Sequence, residues 1–204
     1  MNRPQTLVLA TTNVGKLREF QVLLAPSGWK ITTSDALGLP EVDEPYDSFV
    51  ENALTKARHA SRLSDLPALA DDSGLCVPAL NYAPGVRSAR YAGEPRDDQR
   101  NNQKLIAALQ ELGGFDWTAF YVAVVALVRF PHDPMPLIVE ARWHGRIVAE
   151  PKGSAGFGYD PHFFIETHGC TAAELEPDIK NAISHRGQAV QSLLRRGNEW
   201  ISLR

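Results

Sequence analysis

Apolar residues fall along this chain in short runs and in helical repeats, and each kind predicts a different element. Leu7-Val8-Leu9-Ala10 is an unbroken apolar run, the pattern of a strand buried on both faces. Thr11-Thr12-Asn13 then offers capping side chains, and Leu17, Phe20, Leu23 and Leu24 recur at helical spacing until Pro26 and Gly28. Residues 29–33 read as a second short strand, and residues 34–47 as loop, with Pro40, Pro45 and the acids Glu41, Asp43 and Glu44. Ser48-Phe49-Val50-Glu51 fits a capping box. The helix it opens carries Phe49, Ala53, Leu54, Ala57 and Ala60 on one broad face, while Asn52 and Lys56, four apart, share another. Pro67-Ala68-Leu69-Ala70 reads as a buried strand that ends at Asp71-Asp72-Ser73-Gly74.

The second half of the pattern is different. Residues 81–97 hold two prolines and two glycines and read as loop. Leu105, Ile106, Leu109 and Leu112 mark a helix that Gly113-Gly114 ends. Residues 118–130 and 137–148, rich in β-branched and aromatic side chains, predict two long strands joined as a hairpin across 131–136. Residues 153–158 form a glycine-rich loop, Thr171-Ala172-Ala173-Glu174 a second capping box, and residues 189–196 a last helix. A strand–turn–helix opening followed by a hairpin predicts an α/β protein built on a mixed sheet. No repeat or linker divides residues 1–204, which suit one large domain or two intimate lobes.

Composition narrows the function class. With 44% hydrophobic and 22% charged residues in 204, the chain matches ordinary globular proteins and can bury a core without staples. A net charge of −3 gives no global attraction to nucleic acid. The two cysteines, Cys76 and Cys170, are far apart and form no C-x-x-C, which points to a reducing compartment. The longest apolar run, residues 119–128, is too short to span a bilayer, and the N-terminus carries no secretory pattern, so a cytoplasmic protein without membrane or nucleic-acid partners is expected.

Five segments carry candidate chemistry. Thr11-Thr12-Asn13-Val14-Gly15-Lys16 is a strand-to-helix turn whose free N–H groups and lysine suit phosphate, although plain helix capping fits it too. It is not a Walker A loop, because Ala10 and Leu17 stand where that motif needs glycine and Ser or Thr. Asp71-Asp72-Ser73-Gly74 puts two acids directly after an apolar strand, where charge is costly. Adjacent strand residues point to opposite sides, so only one carboxylate faces a given site, to bind Mg²⁺ or take a proton from water; turn hydrogen bonding is the plainer role. One acid of the Glu41–Glu44 loop can join it on a metal. In Gly153-Ser154-Ala155-Gly156-Phe157-Gly158-Tyr159-Asp160 an aromatic flanked by glycines can stack on a flat ring, and Asp160 can accept from ring N–H groups, although a flexible hairpin-like loop with core aromatics fits it equally. Lys180 and Ser184-His185-Arg186-Gly187 supply donors suited to carbonyl or phosphate oxygens, or form a surface basic cluster. His162, His168 and Cys170 do not complete a zinc set, and no G-x-S-x-G appears.

In order, these segments resemble the inosine triphosphate pyrophosphatase family. The likeness rests on Thr11 to Lys16, Phe49-Val50-Glu51-Asn52-Ala53 with Lys56-Ala57, and Ala70-Asp71-Asp72-Ser73-Gly74-Leu75. It continues through Ala83-Pro84-Gly85, Ser88-Ala89-Arg90-Tyr91-Ala92-Gly93, Gly156 to Pro161, Lys180 and Ile183-Ser184-His185-Arg186-Gly187, spanning roughly residues 7–196. The resemblance implies an elongated α/β protein with a long mixed sheet and two lobes around a cleft, usually a homodimer. It implies Mg²⁺-dependent conversion of inosine, deoxyinosine and xanthosine triphosphates to monophosphate and pyrophosphate. Thr11, Thr12, Asn13, Val14, Gly15 and Lys16 would hold the triphosphate with Lys56; Asp72 would be the catalytic carboxylate and, with Glu44, a metal ligand. Ser73 would contact the nucleotide, and Phe157, Gly158, Tyr159, Asp160, Lys180, His185 and Arg186 would surround the base. Asp71 is expected to face away from Asp72 and serve structure. Pro78, Asn81-Tyr82 and Arg87 depart from the family pattern, the middle pair replacing a usual glycine pair. A pyrophosphatase for pyrimidine or other modified nucleotides and a non-catalytic nucleotide-binding module are the alternatives.

Overall fold

The computed structural model describes residues 6–114 and 117–201, with side chains through residue 197. Its seven-stranded sheet runs in the order β2-β1-β3-β4-β5-β6-β7. The strands are β1 Thr6–Leu9, β2 Lys30–Thr33, β3 Ala68–Cys76, β4 Thr118–Val128, β5 Leu137–Ile147, β6 Phe163–Ile165 and β7 Cys170–Thr171. Strand β1 pairs parallel with both β2 and β3, whereas β6 pairs antiparallel with β5 and β7, so the sheet is mixed as the pattern predicts. The helices are α1 Val14–Leu24, α2 Phe49–Ser64, α3 Asp98–Glu111, α4 Pro177–Ile183 and α5 His185–Ile201.

The chain divides into two compact units. The first takes the chain up to Asp72, Ala123–Ala141 and the segment from Arg186 onward; the second takes Ser73–Val122 and Arg142–His185. Within the first unit alternation along the strands builds two cores. Leu7, Leu9 and Leu69 pack with Phe20 and Leu24 of α1 and with Ala189, Val190 and Leu193 of α5. Val8, Ala10, Ala68 and Ala70 pack with Ala53, Ala57 and Ala60 of α2, where alanines let helix and sheet approach closely. The second unit centres on Leu75, Leu105, Leu109, Tyr121, Trp143 and Phe163.

Capping follows the predicted signals. The Asn13 side chain accepts from Lys16 N at the start of α1, and Ser48 accepts from Glu51 N at the start of α2. Six elements extend beyond, or lie outside, the periodic pattern. Strand β3 continues through both aspartates to Cys76, because cations from neighbouring helices compensate the charge. Helix α3 begins at Asp98, capped by Asp97, two turns before its first apolar residue, because its opening residues are polar and bond to loops. Helix α5 begins at His185, and the short β6, β7 and α4 carry too few residues to show a period. The Thr171 capping box opens a single 3-10 turn, Ala172–Glu174. Asn81 and Tyr82 both adopt the left-handed conformation, at φ 51° and 65°, which is why glycines suit those positions. Among the described residues no helix is long and apolar enough to cross a membrane.

The turn after β4 is closed by a buried ion pair. Asp133 accepts from Arg129 N, Nε and Nη2 and from Met135 N at 2.7–3.0 Å. Burial pushes the Asp133 carboxyl up, but the Arg129 and backbone hydrogen bonds outweigh it and hold the pKa below the ordinary aspartate value. A depressed folded pKa gives stability that is complete above the unfolded value of about 3.9 and is lost as pH falls through the folded one. Asp133→Ala should therefore cost about 1–3 kcal/mol in urea unfolding at pH 7, by leaving donors unpaired, and the difference from wild type should shrink below about pH 4.

Candidate active site

The site is built on the alternation of β3. Leu69 faces α1 and α5 and Ala70 faces α2, so the next two residues repeat that division with charge. Asp71 emerges on the first face. It is 1% exposed, 3.0 Å from Lys16 Nζ of α1 and 3.4 Å from Arg186 Nη2 of α5. Arg186 also donates to Glu19 of α1. Burial pushes the Asp71 carboxyl up, but the Lys16 and Arg186 charges overcome this and hold it well below the usual range. Burial lowers the Lys16 pKa, with Asp71 opposing and the Lys56 and Arg186 charges adding to the fall. Asp71 Oδ1 is buried without a hydrogen-bond partner among the described residues.

Asp72 emerges on the α2 face. Asn52 Nδ2 donates to its Oδ2 at 3.2 Å, and Lys56 Nζ lies 3.3 Å from its Oδ1. The same ammonium lies 3.3 Å from Glu44 Oε2. Asn52 also exchanges two hydrogen bonds with the Tyr46 backbone, so α2 fastens the loop that carries Glu44. Burial raises the Asp72 pKa, with Lys56 and Lys16 opposing and Glu44 and Asp71 adding. For Lys56 burial lowers the pKa, but the Asp72, Asp71 and Glu44 charges prevail and the net shift is upward. Two carboxylates converging on one cation form an oxygen donor set that fits a hard divalent ion completed by waters and phosphate oxygens.

The remaining residues of the predicted phosphate turn lie between β1 and the first turn of α1. Thr11 Oγ1 accepts from Asn13 N at 3.3 Å, Asn13 Oδ1 caps Lys16 N at 3.0 Å, and Val14 and Gly15 open the helix. Thr12 is exposed between them, and Ser73 is the half-buried residue after Asp72 in β3.

The predicted base-binding residues gather in the second unit. Asp160, 3% exposed, accepts from Phe157 N at 2.9 Å and Lys180 Nζ at 2.7 Å. The Lys180 ammonium sits 5.1 Å from the Phe157 ring centroid, in cation–π range. Gly156 has φ 78°, and a Cβ there would collide with the Asp160 carboxylate, so the loop closes this tightly only around glycine. Tyr159 OH donates to Ser88 O at 2.8 Å. The His185 ring stacks on Tyr121 at 4.7 Å and 7°, with Trp143 at 6.3 Å beyond.

Thus the structure brings Lys16, Lys56, Glu44 and Asp72 to the last residues of β3 in the first unit, and Phe157, Asp160 and Lys180 together in the second. Arg186, expected among the base-binding donors, donates to Asp71 and Glu19. Sequence reasoning placed Asn52 and Lys56 on one helix face but gave Asn52 no role, and it missed Glu19 and Tyr121. Spacing of four from Lys56 was a usable signal for Asn52; Tyr121 was hidden inside an apolar strand.

The Ham1 family model matches residues 7–196. A dITP/XTP pyrophosphatase of Nitrosomonas europaea is 57% identical over 189 residues, covering 93% of this chain and 92% of that protein. One from Neisseria meningitidis serogroup B is 52% identical over 195 residues, covering 95% and 97%. Among solved structures, a HAM1 protein from Coxiella burnetii superposes with a TM-score of 0.90 at 47% identity, covering 96% of this chain and 99% of its own. With residues 7–196 matched and nearly its full length covered by relatives more than half identical, this chain belongs to the Ham1 family.

Proposed function

We propose that this protein hydrolyses inosine, deoxyinosine and xanthosine triphosphates to the monophosphate and pyrophosphate, with Mg²⁺, and so clears them from the nucleotide pool. The observation that carries the reading is the Lys56 ammonium set between Glu44 and Asp72 beside the Lys16–Asp71 pair. The names of the relatives, dITP/XTP pyrophosphatases, support the same substrate class. Residues 1–204 act as one functional domain of two lobes, in the cytoplasm and as a homodimer, with neither nucleic acid nor membrane as partner.

The chemical problem is attack of water on the α-phosphorus of a strongly anionic chain. Lys16 and Lys56 neutralise charge that repels a nucleophile, and the capped N-terminus of α1, formed by Thr11 to Gly15, offers N–H groups to phosphate oxygens. Glu44 and Asp72 would hold Mg²⁺, which when bound would polarise water and offset phosphate charge. Asp72 also accepts the proton of the attacking water. Asn52 and Lys56 hold that carboxylate from two sides, which fixes its direction. Pyrophosphate leaves, and no side chain is acylated or phosphorylated. Ser73 contacts the nucleotide, and Arg186 joins Lys16 as a cation beside Asp71.

Base choice rests on hydrogen-bond polarity. Phe157 stacks on the purine, with Gly158 and Tyr159 shaping the loop around it, and Asp160 accepts from ring N–H. Lys180 and His185 donate to the six-position carbonyl that hypoxanthine and xanthine carry. Adenine places an amino group there, and the mismatch leaves a buried donor unpaired at about 1–3 kcal/mol per group.

A panel of ITP, dITP, XTP, GTP and ATP with Mg²⁺ should release pyrophosphate from the first three and far less from the last two, and chelation by EDTA should abolish turnover. Orthophosphate as the product, or equal rates on ATP and ITP, would refute the assignment. The two aspartates should separate by readout. Asp72→Asn should lower kcat by about 10²–10⁴ with a small change in substrate affinity. Asp71→Asn leaves Lys16 and Arg186 buried with less counter-charge and should lower unfolding free energy by about 3–5 kcal/mol, the cost of breaking a buried ion pair.

A further inference from the structure

The opening turns of α3 are polar, yet their side chains turn onto the protein. Asn101 Nδ2 donates to Ala89 O at 3.1 Å, and its Oδ1 accepts from Ala92 N at 2.7 Å. Asp98 and Asn102, four apart and so on one helix face, take hold of a single residue of the glycine-rich loop. Asp98 Oδ2 accepts from Gly158 N at 2.6 Å, and Asn102 Nδ2 donates to Gly158 O at 2.9 Å. Both peptide groups of Gly158 are thereby fixed to one rigid element. Its φ of 65° lies in the left-handed region, and a Cβ there would meet nothing within 4 Å, so the glycine answers the backbone and not a neighbour.

The burial of Asn102 is not explained by packing. Asn102 is 8% exposed, and its Oδ1 is buried without a hydrogen-bond partner among the described residues. A leucine would fill that place without an orphaned oxygen, so core stability does not call for the amide. What the amide does achieve is the position of Gly158, between Phe157 and Tyr159.

We infer that Asp98 and Asn102 are positioning residues for base discrimination: by clamping Gly158 they hold Phe157 and Asp160 in one geometry. The inference rests on the proposed role of the 157–160 loop in binding the purine. A fixed pocket rejects a wrong base because its polar groups cannot move to find other partners, whereas a loose loop adapts to several bases. The clamp therefore acts on selectivity and on KM, while the groups around Asp72 in the other unit carry turnover.

The test compares kcat and KM for ITP and GTP in wild type, Asn102→Leu, Asp98→Ala and Asp98→Asn, with the melting temperature of each. Asn102→Leu and Asp98→Ala should reduce the ITP-over-GTP ratio of kcat/KM by about tenfold, through KM, as expected when a positioned group loses its support. Asp98→Asn keeps an oxygen that can accept from Gly158 N, and should recover most of the ratio lost in Asp98→Ala. Unchanged ratios, or equal falls for both substrates that follow the melting temperature, would overturn the clamp and assign these residues to stability alone. A wild-type protein with no preference for ITP would instead overturn the proposed function beneath it, so the two failures are distinguishable.

Discussion

Two carboxylates in consecutive positions of a buried strand are the constraint around which the first unit is arranged. A strand interior tolerates such charge only when each carboxylate meets a cation, and the pleat sends the two in opposite directions. One face must therefore bring Lys16 and Arg186, and the other must bring Lys56 and Asn52. That requirement fixes the rotation of α1, α2 and α5 about their axes. The same helices use their apolar faces for the two cores, so packing and charge compensation constrain each other.

The protein thus rests with its cations already engaged. Lys16 and Lys56 lie against carboxylates, in balance, and do not present bare positive charge. In the proposed reaction a triphosphate substitutes its oxygens for part of that carboxylate environment. Exchange of one anionic partner for another costs less reorganisation than building a cationic pocket from solvated side chains. Asp71 and Glu19 keep Lys16 and Arg186 anchored while this happens, which gives Asp71 a structural purpose.

The legible part of this architecture was the part carried by period and by capping. Leu7 to Ala10, the Ser48–Glu51 box and the two long strands declared themselves because single residues there obey a local rule. Alternation alone separated Asp71 from Asp72, and the structure keeps them on opposite faces. Helix α3 was half invisible, since Asp98 to Lys104 bond to loops distant in sequence and so obey no local period. Arg186 shows the same limit in the candidate site. It is adjacent to His185 in sequence, yet its guanidinium reaches Asp71 and Glu19 while the His185 ring lies on Tyr121. Neighbouring letters on a helix start diverge by about 100° in direction, and only the packed neighbours decide where each goes.

Gly156 carries this point to its smallest scale. The space its missing methyl leaves is filled by the Asp160 carboxylate, which in turn holds Lys180 over Phe157. A single added carbon would propagate through these three side chains. Under the proposed function, drift in substrate preference can therefore arise at a backbone position that acts through Asp160, Lys180 and Phe157, and a comparison restricted to those three side chains would overlook its origin.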